Sequence, residues 1–407
     1  MKVDLPTTPI RIPGFLFSGV SCGIKESGKP DLAVIYAERP AAVAAAFTSN
    51  RVQAAPVQIA REHTRAGRLR AIVVNSGNAN AFTGAAGIKA ARAMCRLVGQ
   101  HLRVPAAQVL PCSTGRIGVP LPMDRVESGI RAACQSLSPD GFHSALAAIM
   151  TTDAFPKFST RTVPLAGQEV VVAGMAKGAG MIAPRLSLAP HATLLAFLFT
   201  NAPLTRDALR ALLRAVLPES FNAAVVDGDT STNDTVAFLA SGVASLAPIA
   251  PRSPAFGAIA QAATEVAREL ARMVVRDGEG ATRIIDVVVR GAQTKADAER
   301  AADAIARSPL CKAAFYGGDP YMGRVVCALG YSGARFDPSR IRIYLDDLLV
   351  VDRGVELVSQ VEGQAQAIAA RSEFRLTVDL RAGSAQALRF CSDLTEEYVR
   401  FNSAYRT

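Results

Sequence analysis

Residues 169–199 read EVVVAGMAKGAGMIAPRLSLAPHATLLAFLF and contain the strongest pattern in the chain. Two apolar runs, Glu169–Val172 and Leu194–Phe199, lie on either side of a glycine-rich segment that carries Lys177. Continuous apolar runs of this length are typical of strands covered on both faces, and neither run is long enough to cross a bilayer. The stretch therefore predicts two buried strands, with a segment between them whose glycines permit close backbone approach.

The same kind of apolar run recurs along the chain and alternates with helical patterns. Further strand-like runs are Leu32–Tyr36, Ala71–Val74, Ile284–Val289 and Arg375–Leu380. Helical periodicity covers Ala90–Leu102, Thr205–Leu217, Ala255–Val275 and Asp297–Arg307. Thr205 is a suitable N-cap residue. With no internal repeat and no low-complexity linker, this mixture predicts an α/β fold in packed layers.

The composition and the charge of the chain argue against several classes of function. The 407 residues are 50% hydrophobic and 20% charged, which is ample for a packed core. The net charge of +10 is spread out and aromatic residues make up only 6%, so we expect no nucleic-acid partner. The seven cysteines form no C-x-x-C pair and the four histidines are not spaced for a metal, so we expect reduced thiols and no metal site. The start, Met1–Asp4, lacks a signal peptide's apolar core, so we expect a cytoplasmic protein without a membrane partner.

The glycine-rich segment does not match the common nucleotide-binding motifs. A phosphate loop places its lysine after the glycines, whereas Lys177 precedes Gly178 and Gly180. The dinucleotide pattern fails as well, because Ala183 occupies the third glycine position. We therefore expect no Rossmann fold. Lys177 lies among these glycines, where its ammonium could bind an anion.

Two short polar clusters contain donors that could serve a reaction. Asn75–Asn80 follows the apolar run Ala71–Val74, which predicts a tight turn whose amides face a cavity. In Cys112–Gly115, a hydroxyl stands beside a glycine amide, and two such donors aimed at one point are what an oxyanion requires. Each cluster is equally compatible with a plain turn.

Two acidic segments and one histidine have a structural and a functional interpretation. Val226–Thr235 has the acidic spacing of a calcium loop, but Phe238 stands where that loop requires glutamate, so we expect no metal there. Glu279 lies between two glycines, which predicts either a turn or a carboxylate that binds a substrate ammonium. His191, two residues before Thr193, is a loop residue or a base.

Together these segments resemble the ornithine acetyltransferase family of arginine biosynthesis, the glutamate N-acetyltransferases. The resemblance covers nearly the whole chain, from Gly19 to Thr407. The matching motifs, in the family's order, are Val74–Asn80, Ser113–Gly115, Met150–Asp153 with Phe155–Lys157, Gly174–Met181 with Ala192–Thr193, Val226–Thr235 and Val275–Thr282. The resemblance implies a layered α/β sandwich of the ornithine acetyltransferase and aminopeptidase type, with two lobes.

The resemblance also implies a nucleophile that the chain makes by cutting itself. The cut would fall between Ala192 and Thr193, giving an α chain of residues 1–192 and a β chain of residues 193–407 that interleave in the fold. The freed α-amine of Thr193, with a reference pKa of about 7.7–8.0, can take the hydroxyl proton near neutral pH. Thr114 and Gly115 match the family's oxyanion-hole pair.

The implied reaction is a ping-pong transfer of the acetyl group of N-acetylornithine to glutamate, through an acetyl ester on Thr193. The matched substrate-binding residues are Thr151, Lys177, Thr193, Glu279, Asn402 and Thr407, with Thr152 as an alternative to Thr151. Their charges assign Lys177 to an anionic substrate group and Glu279 to the ornithine ammonium. The family also implies an α2β2 assembly and no cofactor, with acetyl-CoA as a further acetyl donor in its bifunctional members.

Two departures from the family pattern leave alternatives open. Arg185–Pro190 (RLSLAP) looks like an insertion just ahead of the cut, which would suit a processing-deficient paralogue. The family's Gly-Glu-Asp-Pro-Asn-Trp-Gly loop reads GGDPYMG at 317–323, which leaves room for an acceptor other than glutamate. The other alternative is a self-processing N-terminal-Thr amidohydrolase or aminopeptidase of the same fold, which would consume N-acetylornithine without an acceptor.

Overall fold

Two β-sheets organise the chain in a computed structural model that describes residues 8–184 and 194–404. Within these residues the first sheet has eight strands. Numbered in chain order over both sheets, they are β1 (Phe15–Val20), β2 (Leu32–Phe47), β3 (Arg68–Asn78), β4 (Val109–Arg116), β5 (Lys157–Leu165), β6 (Gln168–Lys177), β7 (Leu195–Thr200) and β9 (Thr235–Ala240). Their order is β4-β3-β2-β9-β7-β6-β5, with β1 beside β2.

The second sheet is built almost entirely from the C-terminal part of the chain. Its strands are β8 (Ala224–Val225), β10 (Ile284–Ala292), β11 (Arg342–Leu345), β12 (Leu348–Asp352), β13 (Val355–Glu356), β14 (Glu373–Asp379) and β15 (Ala385–Ser392). They lie in the order β13-β12-β11-β14-β10-β15-β8. The helices are α1 (Ala55–Thr64), α2 (Gly84–Leu102), α3 (Met123–Gln135), α4 (Phe142–Ile149), α5 (Arg206–Val216), α6 (Pro254–Arg276), α7 (Lys295–Arg307), α8 (Pro309–Gly317), α9 (Gly323–Gly330), α10 (Glu362–Ala369) and α11 (Glu396–Ala404).

Helix α6 lies between the two sheets and joins their cores. Its buried side chains Val266 and Leu270 belong to the same apolar cluster as Leu198 of the first sheet and Phe390 of the second. Helix α4 packs on the opposite side of the first sheet, and α7 covers the second. Because each sheet buries its apolar faces against helices, the predicted layered α/β fold with two lobes is confirmed.

Strand β7 lies inside the first sheet and begins just after the undescribed residues 185–193. It is antiparallel to β6, with Leu195 opposite Lys177, and parallel to β9, with Leu195 opposite Thr235. Residues on both sides of position 192 therefore share one sheet. Any product that begins at residue 193 would keep its first strand between two others.

The predicted elements are present, and two predicted turns are strands instead. Thr205 caps α5, because its Oγ1 accepts from Ala208 N at 3.2 Å. Strand β3 continues through Asn75 to Asn78, paired with β4. The reason is that the buried polar groups find partners: Asn75 Oδ1 accepts from Ser113 Oγ at 2.5 Å. No helix in residues 8–184 or 194–404 is long and apolar enough to cross a bilayer.

Candidate active site

A cavity of about 120 Å³ lies where the ends of β4 and β6 meet the segments that begin β7 and β9. The predicted site residues that line it are Thr114, Gly115, Thr151, Lys177, Glu279 and Asn402, and Thr152 lines it as well. These residues come from separate parts of the sequence and from both lobes. The fold therefore brings the described members of the predicted site together around one space.

Thr114 and Gly115 form the wall at the end of β4. Lys177 Nζ donates to Thr114 Oγ1 at 3.0 Å, which leaves the hydroxyl hydrogen of Thr114 for another acceptor. Gly115 has a φ of +133°, and an added Cβ there would collide with the backbone of Gly77 on β3. Only glycine fits this close approach. The wall can thus present the two donors that an oxyanion needs.

Next to the cavity, a buried ionic cluster fixes the loop that carries Thr151. Lys157 Nζ lies 2.6 Å from Asp153 Oδ1 and also donates to Asp277. Asp153 Oδ2 accepts from Thr151 N at 2.7 Å, and Asp277 Oδ2 accepts from Ala154 N at 3.0 Å. The side chains of Lys157 and Asp153 are both 0% exposed, so their opposite charges must compensate each other.

The same cluster sets the electrostatics of Lys177. Burial alone would raise the pKa of Asp153, but Lys157, Lys177 and the Gly178 amide outweigh burial and hold that pKa well below its usual range. Burial lowers the pKa of Lys177, and the Asp153 carboxylate opposes that shift. The charged form of Lys177 is thus costly in the empty cavity, and an anionic substrate group would favour it.

Glu279 and Asn402 bring the second lobe to the cavity. Asn402 Nδ2, on α11, donates to Glu279 Oε2 at 3.0 Å, and Glu279 N donates to Ala179 O at 3.0 Å. An added Cβ at Gly180 would collide with the Glu279 carboxylate, so a glycine at 180 makes room for it. Glu279 is half-buried, which suits a carboxylate that binds a substrate ammonium.

The segment 226–235 contributes residues that the sequence analysis did not assign to the site. Ser231, Asn233 and Asp234 line the cavity. Asn233 Nδ2 donates to Ala79 O at 2.6 Å and to Ser113 O at 2.8 Å, so it joins the ends of β3 and β4. The sequence had singled out this segment for the spacing of its acidic residues, but that spacing is typical of a calcium loop and gave no reason to place the segment at the active site.

The carboxylate of Asp227, near the start of this segment, accepts hydrogen bonds from backbone amides. Asp227 accepts from Met181 N at 2.6 Å and from Ile182 N at 2.8 Å, which ties the segment to the chain after β6. The described part of the chain contains no group of three or more His, Cys, Asp or Glu side chains placed to hold a metal. Both carboxylate oxygens of Asp227 therefore accept hydrogen bonds from the backbone.

Some of the predicted site lies outside the described residues. These positions are Ala192, Thr193 and Thr407, together with His191 and the insertion at 185–190. Leu194, the first described residue after the predicted cut, lines the cavity. The altered loop at 317–323 contributes no lining residue to this cavity; instead Met322 N donates to Glu356 Oε1 at 2.6 Å.

The two-lobed α/β fold encloses a cavity whose hydroxyl, amide, ammonium and carboxylate groups suit acyl transfer. The chain belongs to the ArgJ family, whose model matches residues 16–407. It is 44% identical over 398 residues to the arginine biosynthesis bifunctional protein ArgJ of Geobacter sulfurreducens, covering 98% of this chain and 100% of that protein. The protein of the same name from Symbiobacterium thermophilum is 46% identical, covering 97% of each. The predicted family and an acyltransferase of arginine biosynthesis are thereby confirmed.

Solved structures of this family are also similar to the chain. The crystal structure of an arginine biosynthesis bifunctional protein from Bacillus halodurans is 38% identical, with a TM-score of 0.42, covering 46% of this chain and 97% of that chain. The ornithine acetyltransferase of Mycobacterium tuberculosis, in complex with ornithine, is 42% identical, with a TM-score of 0.41, covering 43% of this chain and 94% of that chain.

Proposed function

We propose that the chain transfers the acetyl group of N2-acetyl-L-ornithine to L-glutamate, through an acetyl ester on Thr193, and releases ornithine and N-acetylglutamate. The observation that carries the proposal is the single cavity that gathers the described predicted site residues next to Leu194, the residue after the proposed nucleophile. The similarity of the chain to arginine biosynthesis bifunctional proteins supports the same reaction.

In the first half-reaction, Thr193 Oγ attacks the acetyl carbonyl after its own α-amine has taken the hydroxyl proton. The carbonyl oxygen becomes an oxyanion that the Thr114 hydroxyl and the Gly115 amide stabilise. Lys177, which already donates to Thr114, orients that hydroxyl and, as a cation lining the cavity, binds the substrate's carboxylate. Glu279 binds the ornithine side-chain ammonium, and the C–N bond then breaks.

In the second half-reaction, the amine of glutamate attacks the ester and restores the Thr193 hydroxyl. We further propose that the α-amine arises by self-cleavage between Ala192 and Thr193. The products, residues 1–192 and 193–407, would stay together because β7 pairs along its whole length with β6. We also propose an α2β2 assembly, acetyl-CoA as a further acetyl donor and a cytoplasmic location. The free cysteines suit the reducing environment of that compartment.

The intact mass of the purified protein tests the nucleophile. We expect two species, the second beginning at Thr193, and a gain of one acetyl group on that species after N-acetylornithine is added. A Thr193→Ala variant should remain a single uncleaved chain and take up no acetyl group. A wild-type protein that stays uncleaved and inactive would favour the processing-deficient paralogue. Release of acetate without glutamate, at the rate seen with it, would favour the hydrolase.

Substitutions on the oxyanion wall separate binding from turnover. Thr114→Val removes one donor and should lower turnover roughly 100- to 1000-fold. Lys177→Met should raise the KM for N-acetylornithine sharply and also lower kcat, because it removes both the cation and the hydrogen bond to Thr114. The exposed Lys29 provides a matched control, and Lys29→Met should change neither constant. An unchanged KM in Lys177→Met would exclude its binding role.

A further inference from the structure

Asp234 is a buried carboxylate that the reaction described above does not use. It stands directly before β9 and lines the cavity, yet its residue is only 1% exposed. Its backbone oxygen accepts from Thr48 N at 3.0 Å, but its side-chain Oδ2 is buried without a hydrogen-bond partner in the described structure. An ionised carboxylate in such a place is very costly, so the group is expected to hold a proton.

The surroundings of Asp234 support the protonated form. Burial raises the pKa of Asp234 well above its usual range, and the Thr48 hydroxyl and the Lys177 ammonium oppose that shift without cancelling it. Glu279 also faces the cavity, from the loop after α6.

The other titratable side chains of the cavity already have partners. Among the described lining residues, the titratable side chains are those of Lys177, Asp234 and Glu279. Lys177 donates to Thr114 Oγ1, and Glu279 accepts from Asn402 Nδ2. Asp234 is therefore the titratable lining residue with a buried side-chain oxygen, Oδ2, that has no hydrogen-bond partner in the described structure.

The proposed acetyl transfer requires two proton exchanges. The donor's nitrogen leaves an amide and departs as an ammonium, so it takes up two protons. The Thr193 hydroxyl supplies one, and either an enzyme group or solvent supplies the other. The acceptor arrives as an ammonium and ends as an amide. It returns one proton to Thr193 and gives one to an enzyme group or to solvent. An enzyme group that holds a proton in the free enzyme and lacks it in the acetyl-enzyme serves both exchanges without solvent.

We propose that Asp234 is this group: it gives a proton to the departing amine and takes one from the incoming ammonium. The inference rests on the proposed acetyl transfer. In the first half-reaction the Thr193 Oγ–acetyl bond forms, the C–N bond breaks and the Asp234 carboxyl becomes a carboxylate. In the second, the carboxylate removes a proton from the acceptor ammonium, the new C–N bond forms and the ester bond breaks. Protons and charge balance over the cycle.

Two donor–acceptor pairs test this role in wild type and Asp234→Asn. The first pair is N-acetylornithine and glutamate, which requires both proton exchanges. The second is p-nitrophenyl acetate and hydroxylamine, whose leaving group departs as an anion and whose amine is already unprotonated near neutral pH. Asp234→Asn should lose about 100- to 10,000-fold in turnover with the first pair, the usual contribution of acid–base catalysis, and stay near wild type with the second.

Combining the donor of one pair with the acceptor of the other shows which of the two proton exchanges requires Asp234. With p-nitrophenyl acetate and glutamate, Asp234→Asn should recover as pH rises, because glutamate then loses its proton to solvent. Asp234→Glu should restore part of the rate with the first pair. Asp379 of β14 is a buried carboxylate of the other lobe, and Asp379→Asn should leave both reactions near wild type.

Two results would overturn the proposal. Wild-type turnover of N-acetylornithine with glutamate in Asp234→Asn would show that the carboxyl is not needed. Loss of both reactions in that variant would show that Asp234 serves folding or self-cleavage instead, and the intact mass would tell these apart. A wild-type enzyme that fails to acetylate glutamate would contradict the proposed function itself, which is a separate outcome.

Discussion

Two loops next to the cavity bury a carboxylate each, and their surroundings shift the pKa values of the two carboxylates in opposite directions. In the loop 150–157, Asp153 faces Lys157 and accepts hydrogen bonds from the backbone amides of Thr151 and Gly178. In the segment 226–235, Asp234 has an oxygen without a partner in the described structure. The pKa of Asp153 is held low, whereas that of Asp234 is raised.

Burial alone therefore does not determine the charge of either group. Both side chains are shielded from water, so the difference comes from the donors that surround each carboxylate. In the loop 150–157, the charged side chain of Asp153 has a structural role, because it holds Thr151 at the cavity wall. The segment 226–235 is fixed by amides instead, through Asn233 and Asp227, and Asp234 Oδ2 has no hydrogen-bond partner in the described structure. The first loop is built for rigidity, and the second keeps a group available for chemistry.

The largest effect on stability is expected from Lys157→Met. The substitution leaves Asp153 and Asp277 buried side by side without their cation, and breaking a buried ion pair in this way costs about 3–5 kcal/mol. The free energy of unfolding in urea measures the loss. We also expect a raised KM, because the loop that positions Thr151 loses its anchor.

An exposed ion pair provides the control for this prediction. Arg268 and Glu219 lie 2.6 Å apart with side chains 43% and 55% exposed. Arg268→Met should cost about 1 kcal/mol or less, since solvent screens such pairs. Equal losses in Lys157→Met and Arg268→Met would refute the idea that charge holds the loop 150–157.

A smaller effect is expected from Asn233→Asp in the other loop. Asn233 Nδ2 donates to the backbone oxygens of Ala79 and Ser113, and a carboxylate oxygen in its place would face both without a proton. Leaving such buried acceptors unpaired costs about 1–3 kcal/mol. Because Ser113 precedes Thr114, turnover should fall as well. Asn233→Asp should lose less stability at acidic pH, where the new carboxyl is protonated and can donate one of the two bonds.

How far the sequence predicts the fold can be argued from particular runs. The apolar runs at Leu194–Phe199 and Ile284–Val289 became β7 and β10, because uninterrupted apolar residues suit strands that are buried on both faces. The polar clusters Asn75–Asn80 and Cys112–Gly115 were predicted as turns, but strands continue through Asn78 in the first and through the whole of the second. The side chains of Asn75 and Ser113 pair across the sheet, and no pattern within either segment reveals a partner in the other.

The candidate site shows the same limit. Thr114, Lys177 and Glu279 were found through glycines and short motifs in a recognised order, and the structure places them around one cavity. Asp153 and Lys157 lay within a matched motif, yet their ion pair and the role of Asp277 depend on contacts between distant segments. Asp234 was not predicted as a site residue, because a single sequence shows where an acidic residue lies but not whether its carboxylate has hydrogen-bond partners.

The smallest change in stability is expected from the pH dependence of the two carboxylates, which should have opposite signs. A lowered pKa in Asp153 stabilises the fold above its unfolded pKa of about 3.9, and this contribution disappears as pH falls below that value. A raised pKa in Asp234 stabilises the fold at low pH, and this contribution is lost as pH rises through its folded pKa. Between acidic and neutral pH, Asp153→Asn should therefore fall increasingly behind wild type in stability up to about pH 4 and stay at a constant deficit above it, whereas Asp234→Asn should become increasingly more stable than wild type from about pH 4 upward. Urea unfolding across this range measures both slopes. Slopes of the same sign would mean that the two carboxylates share one charge state and that the contrast between the loops is wrong.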